Sequence, residues 1–309
     1  MKISINLITF LLILVLPFSF VSTAFANEIQ TGAWLGEWPS VTKKNIESFD
    51  SLTNTNHKYV HTFVNSNQNL TQWQGFLDYV DSTGKINILT LELKNKNGVE
   101  YTTADINKGT LDKQLALIAT QLKSWKNGKE VWIQMMHEVN GNWYGWSVGK
   151  NKVNTNQSYI NAYQRIVTIF RQAGATNIKF LYNVNAENVG PNTSFMGAYP
   201  GDTYVDYVSM NGYNWGNTRL GSSWMSFRSI FDKPYSELTK FSSRPVIITE
   251  FSSAESGGNK ANWILDASQQ IKSGAYPRLE AAIWFNENKE TDWRVNSSVS
   301  SLNAYTLFR

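Results

Sequence analysis

"WIQMMHEVNGNWYGW", residues 132–146, changes character half-way along. Its first half continues an apolar run from Val131 with almost no polar alternation. A strand of that kind is covered on both faces, as in a parallel sheet flanked by helices. After His137-Glu138 the chain turns at Asn140-Gly141 and places Trp143, Tyr144 and Trp146 within four positions. A carboxylate at the tip of a buried strand, ringed by aromatic residues, stands where a parallel α/β barrel carries its chemistry.

Read outward from this strand (130–138), the chain repeats the same unit. Strand-like runs precede it at 30–38, 58–64 and 86–93, and follow it at 178–184, 205–213, 245–251 and 279–285. Helical stretches lie between most of them, around 43–52, 73–80, 111–125, 158–174, 224–241 and 261–271, and the chain closes with "SSLNAYTLF". In the third helical stretch Leu111, Leu115, Ile118, Leu122 and Trp125 recur at spacings of three and four, one apolar face, and Gly128 follows where a stop is expected. The connection after the fifth strand is irregular, with Pro191, Pro200 and Gly201. Eight parallel strands in a chain of 309 residues predict an α/β fold, a single (β/α)8 TIM barrel over residues 27–309. A doubly wound open sheet would want a glycine-rich phosphate turn after the first strand, and "GAWLGEWPS" lacks GxGxxG.

Residues 1–26 read as a secretory signal peptide: Lys2, an apolar run from Ile5 to Phe20 and a small-x-small end at Ala24-Phe25-Ala26. The run falls short of the ~20 apolar residues that span a bilayer and contains Pro17, so a secreted chain without a membrane span is expected, beginning near Asn27. With no cysteine, an exported protein must draw its stability from a large packed core, and thiol nucleophiles and cysteine metal sites are excluded. The net charge of +4 is spread without basic blocks, which argues against a nucleic-acid partner. Of the twelve Trp, 14 Tyr and 16 Phe many must be core, and an excess near polar loop residues would suit a ligand with flat apolar faces and many hydroxyls, a sugar.

Residues at or just after the strand ends carry the chemistry in such a barrel. They are Glu138 and Asn140, Tyr213 and Asn214, Glu250, then Trp284 and Asn286. Two carboxyls from the fourth and seventh strands therefore face one mouth. One protonated and the other ionised, they can cleave a glycosidic bond. A zinc reading of His137-Glu138 fails because position 141 is Gly where HExxH needs its second His, so no metal or other cofactor is expected. His57 and His61 read as structural, and there is no GxSxG elbow.

These residues resemble a known family. "HEVNGNWYGW" is similar to the acid/base signature of glycoside hydrolase family 26, "VIITEF" to its nucleophile strand, and "DYVSMNGYNWG" and "AAIWFNENKETDWRV" extend the likeness over the mature chain. The resemblance implies an endo-acting, retaining hydrolase of β-linked polysaccharide working by double displacement, with Glu138 as acid/base and Glu250 as nucleophile. It implies that His137 holds the acid or a sugar hydroxyl, that Tyr213 hydrogen-bonds the nucleophile, and that Trp143 and Trp284 line the subsites beside the scissile bond. Trp146, Trp215, Trp293 and Arg294 are further cleft candidates. Aromatic walls should raise the Glu138 carboxyl so that it keeps its proton, while Glu250 stays ionised. Two departures stand out: Val139 replaces the usual Met, and the third strand ends "ILTLELKN" where mannan-cleaving members tend to carry Trp-His. Mixed-linkage β-1,3-1,4-glucan therefore stands beside β-1,4-mannan as the expected substrate of a secreted monomer. A carbohydrate-binding barrel without catalysis, and an enzyme trimming its producer's own exopolysaccharide, are the alternatives.

Overall fold

The computed structural model describes residues 29–68 and 70–308. The expected signal peptide and the start near Asn27 lie outside them. Strands β1 (Gln30–Glu37), β2 (Tyr59–Asn65), β3 (Ile86–Glu92), β4 (Val131–Met135), β5 (Ile178–Asn185), β6 (Tyr207–Asn214), β7 (Val246–Ser253) and β8 (Leu279–Phe285) pair in chain order, each parallel to the next. β8 pairs back onto β1, so the sheet closes into the (β/α)8 barrel that the sequence predicts.

Around it lie α1 (Lys43–Thr53), α2 (Leu70–Ser82), α3 (Thr103–Asn107), α4 (Asp112–Ser124), α5 (Asn156–Gln172), α6 (Phe227–Phe241), α7 (Lys260–Lys272) and α8 (Val299–Tyr305). The one-turn α3 has too few residues to show a period and was not anticipated. α5 shows why such segments become barrel helices. Thr155 caps it in a capping box, and Tyr159, Ala162, Tyr163, Ile166, Val167 and Phe170, at spacings of three and four, form one buried face against the sheet. No helix lies between β5 and β6, as the proline-rich connection suggests. Among the described residues no helix is long and apolar enough to cross a membrane.

The two faces of the sheet separate two kinds of core. Outward side chains such as Ile133, Met135, Ile248 and Phe251 join the large layer beneath the helices. Inward, Tyr59, Ile88, Trp132, Leu181, Ile247, Ala281 and Ile283 fill the barrel with an apolar plug. Above the plug, the next inward positions are polar, and His61, Thr90, Gln134, Asn183, Ser209 and Thr249 are all essentially without solvent exposure.

Two local departures from regular strand geometry aim the chain at the mouth. β4 stops at Met135, three residues before the expected end, because Met136 and Glu138 take left-handed backbone angles, φ 50° and 51°. Such angles cost a non-glycine residue roughly 1 kcal/mol or more and persist only where the surroundings enforce them. Here Asn183 enforces them, accepting from the Glu138 N–H through Oδ1 at 2.9 Å and from the Val139 N–H through its carbonyl at 3.4 Å. In β7 the register against β6 slips between Ile248 and Glu250, leaving Thr249 as an extra residue. This bulge lets two consecutive side chains, Thr249 and Glu250, both work on the inner side of the barrel.

Candidate active site

The ends of β4 to β8 open into a cleft of about 990 Å³ that holds both carboxyls. That is the upper end of the usual range for ligand clefts. Its floor and walls are aromatic. Phe63, Tyr144, Tyr213, Trp215, Phe285 and Trp293 line it, with Trp34 stacked beneath Phe285 at 4.5 Å between ring centroids.

Glu138 is bound from three sides. Trp143 Nε1 donates to its Oε2 at 2.7 Å, and Asn211 Nδ2 and Asn185 Nδ2 donate to its Oε1 at 3.1 and 3.3 Å. Trp143 reaches it by folding back over Gly141, where any Cβ would lie 2.6 Å from the indole ring. The Asn-Gly pair of the opening stretch is therefore more than a turn. Asn140 also has a structural use, since it bonds to Asn185, Glu187 and Asn188 and staples the loop after β4 to the loop after β5.

Glu250 is bound more sparsely. The Tyr213 hydroxyl donates to its Oε2 in a short hydrogen bond. Its Oε1 is buried without a partner. Asn211 lies near enough to lower the Glu250 carboxyl but not in hydrogen-bonding geometry, so one amide stands between the two acids.

Burial raises both carboxyls, and the charge of Glu138 raises Glu250 further, to about 8, against the lowering by Tyr213 and Lys289. Glu138 rises through burial alone, opposed by its three donors and by Lys289. In the free cleft the donors therefore favour charge on Glu138 and the proton on Glu250, the reverse of the sequence expectation. The reason is the distribution of amides: Asn185 and Asn211 come from inward positions of β5 and β6, and both lean toward the fourth strand.

The other expected residues divide into two groups. Trp143, Tyr213 and Trp215 line the cleft. His137, Trp146 and Trp284 do not. His137 is buried between Tyr144, Phe63 and Trp146, with neither ring nitrogen partnered, and burial lowers it to about 3, so it is neutral and does not hold Glu138. Trp146 is fully buried, stacked 4.9 Å behind Tyr144, and donates to the His137 carbonyl. It supports the wall without forming it. Trp284 requires a correction by one residue: β8 points Ile283 and Phe285 inward, so Trp284 faces out onto Phe251, Trp263 and Tyr305 and is fully buried. Arg294, paired with Asp292, is also outside the cleft lining, whereas Trp293 is part of it. Asn185, Asn211 and Phe285 were missed by the sequence reading. For the two amides a signal was available, because an Asn at an inward position of an apolar strand is an exception to the barrel's pattern, whereas Phe285 ends an apolar strand like any other core residue.

A match to the model of "Glycosyl hydrolase family 26" covers residues 50–271. The chain belongs to this family of glycosyl hydrolases. It is 44% identical over 283 residues to "Endoglucanase H" of Acetivibrio thermocellus, across 91% of this chain and 30% of that protein. It is 27% identical over 149 residues to a "Mannan endo-1,4-beta-mannosidase" of Bifidobacterium adolescentis, across 46% of this chain and 15% of that protein. The chain thus spans less than a third of the length of either relative. Among solved structures, the catalytic domain of a family 26 endo-β-1,4-mannanase from Bacillus sp. JAMB-750 superposes with a TM-score of 0.67 at 17% identity, covering 92% of this chain and 86% of that one. A modular endo-β-1,4-mannanase from Cellulomonas fimi does so with a TM-score of 0.67 at 14% identity, covering 91% and 70%. At such identities the likeness is one of fold.

Proposed function

We propose that this chain is a secreted, monomeric endo-β-glycanase that hydrolyses a β-linked polysaccharide with retention, using Glu250 as nucleophile and Glu138 as acid/base. The observation that carries the reading is the pair of buried carboxyls sharing one amide neighbour at the floor of an aromatic cleft. A donor that close to both supports the retaining separation of ~5 to 5.5 Å over the wider gap that admits a water in inverting enzymes.

In the first step the unpartnered Glu250 Oε1 attacks the anomeric carbon, its Oε2 remaining with Tyr213, while Glu138 gives its proton to the leaving oxygen. In the second, Glu138 takes a proton from water, which releases the sugar from Glu250. In the free cleft the donors favour the proton on Glu250, and substrate reverses this preference. The glycosidic oxygen is an acceptor and can bond only a protonated Glu138, whereas the anomeric centre, gaining positive charge, favours an ionised Glu250. Trp143, Phe285, Trp215 and Trp293 supply faces on which sugar rings stack.

Mixed-linkage β-glucan is the substrate we favour. The name of the endoglucanase relative supports it, as does the end of β3, where Glu92 pairs with Lys94 at 2.5 Å in place of a Trp-His pair. Export rests on the leader-like residues 1–26, and a monomer suffices because one chain supplies the whole cleft. The test is Glu250→Ala, which should abolish hydrolysis of lichenan without unfolding and regain activity with azide, giving an α-glycosyl azide. Wild-type products should appear first in the β configuration by proton NMR. Inverted products, or no rescue by azide, would contradict the mechanism, and faster release from mannan than from lichenan would contradict the substrate.

A further inference from the structure

The polar layer beneath the two carboxyls is a closed ring. His61 Nε2 meets Thr90 Oγ1 at 2.7 Å, and Gln134 Nε2 donates to the same oxygen at 3.0 Å. Ser209 Oγ donates to Gln134 Oε1 at 3.3 Å, and Asn183 Nδ2 donates to Ser209 Oγ at 3.0 Å and to Thr249 Oγ1 at 2.9 Å. The ring closes from the Thr249 carbonyl to His61 Nδ1 at 3.2 Å. Six strands, β2 to β7, contribute one member each.

The proton directions in this ring follow from its ends. A carbonyl can only accept, so His61 carries its hydrogen on Nδ1, and its Nε2 accepts from the Thr90 hydroxyl. Thr90 in turn accepts from Gln134. Burial lowers His61 to about 3, which keeps it neutral in this single tautomer. An apolar layer would fill a barrel as well, and each buried polar group left without a partner would destabilise the fold. The satisfied ring must therefore be judged by what it holds in place.

It holds the catalytic pair at two points, both through Asn183. Its Oδ1 accepts from the N–H of Glu138, pinning that residue's left-handed backbone. Its Nδ2 also donates to Asn211 Oδ1 at 3.0 Å, where Thr249 Oγ1 donates as well, at 2.8 Å. Two donors on one amide oxygen leave no choice of flip, so the Asn211 NH2 must face Glu138 and Glu250. Turned over, the amide would present its oxygen to two carboxyls.

We propose that Asn183, which has no place among the cleft-lining residues, is a positioning residue for the reaction, orienting Asn211 toward both acids and fixing the backbone from which Glu138 projects. This rests on the catalytic reading above, but its test does not. The titratable groups facing the carboxyl pair are Tyr213, Tyr144 and Lys289, and the one beside His61 is His137. None is hydrogen-bonded to Asn183.

The experiment titrates Glu138 and Glu250 by side-chain carboxyl ¹³C NMR in wild type, Asn183→Leu and Thr249→Val, with resonances assigned from their loss in E138Q and E250Q. Thr249→Val keeps the side-chain shape and removes the second donor to Asn211 together with one of the acceptors of Asn183 Nδ2, while leaving Asn183 itself in place, so it remains informative if Asn183→Leu fails to fold. Freed to turn, Asn211 no longer stabilises charge, and both titrations should move upward, by about one pH unit in Asn183→Leu and less in Thr249→Val. In an active enzyme kcat should fall roughly ten- to hundredfold in Asn183→Leu with KM within about twofold, since the group displaced acts on chemistry. Titrations that superimpose on wild type in both variants would overturn the positioning role. A wild-type protein without glycosidase activity would instead overturn the proposed function and leave the titration result standing.

Discussion

Replacing Glu250 by Gln should stabilise the protein, and increasingly so as the pH rises. The carboxyl moves from an ordinary value of 4.5 to about 8 in the folded cleft, chiefly through burial and then through the charge of Glu138. The folded state thus binds this proton more tightly than the unfolded chain does. The group's contribution is fully present below pH 4.5 and is lost as the pH rises toward 8. Gln cannot ionise and keeps an oxygen for Tyr213, so the variant escapes that loss. With 1.36 kcal/mol per pKa unit, the advantage of Glu250→Gln is about 1 kcal/mol at pH 5 and about 3 at pH 7, levelling near 5 above pH 8. For a domain of about 280 residues, unfolding entropy near 0.6 kcal/mol per degree converts these to melting-temperature gains of roughly 2, 5 and 8 °C. Differential scanning calorimetry of both proteins between pH 5 and 9 measures the gap. A gap independent of pH, or one that narrows as the pH rises, would refute the reasoning, because it would mean that Glu250 is not held protonated by its surroundings.

Trp143→Phe keeps the ring over Gly141 and removes the N–H donated to Glu138, so kcat/KM should fall about tenfold, the worth of one hydrogen bond to a charged group; an unchanged kcat/KM would deny that contact a role. Trp284→Phe should lower the melting temperature, through lost packing and the lost bond to the Trp293 carbonyl, while KM and the product pattern stay as in wild type; a several-fold change in KM would put Trp284 back in the cleft. Gly216, at φ 51°, has the Ser256 carbonyl oxygen 1.8 Å from where a Cβ would sit. Gly216→Ala should therefore destabilise the protein by about 3 kcal/mol and displace Trp215 next to it, visible as a raised KM; wild-type stability would show that this turn tolerates a side chain.

How much of this was legible beforehand depended on the physical signal each feature leaves. The barrel announces itself because parallel strands covered on both faces must be apolar throughout, and eight such runs leave little choice of architecture. The carboxyls were legible because a charged residue ending such a run needs a reason to be there. The bulge in β7 left no comparable trace. "IITEF" reads as the end of one more apolar run with a carboxylate at its tip, and only pairing with β6 shows that Thr249 and Glu250 share a side. Likewise "MMHEV" reads as strand, since nothing in the types of Met136 or Glu138 announces a left-handed angle imposed by Asn183 from the next strand. The misplacement of Trp284 has the same origin: period-two alternation fixes two faces, but which face is inside depends on a register that one strand cannot state. The preference for charge on Glu138 in the free cleft was invisible because it depends on Asn185 and Asn211, whose reach across strands is a tertiary fact.

Double displacement requires a covalent bond between Glu250 and the sugar. A 2-deoxy-2-fluoro β-cellobiosyl or laminaribiosyl fluoride slows both steps of a retaining reaction but spares the leaving group, and should trap the intermediate. Mass spectrometry of the digested protein should then find one disaccharide per chain, on the peptide containing "VIITEF" and at Glu250 within it. Finding the label on Glu138, or hydrolysis proceeding with no label anywhere, would contradict the account.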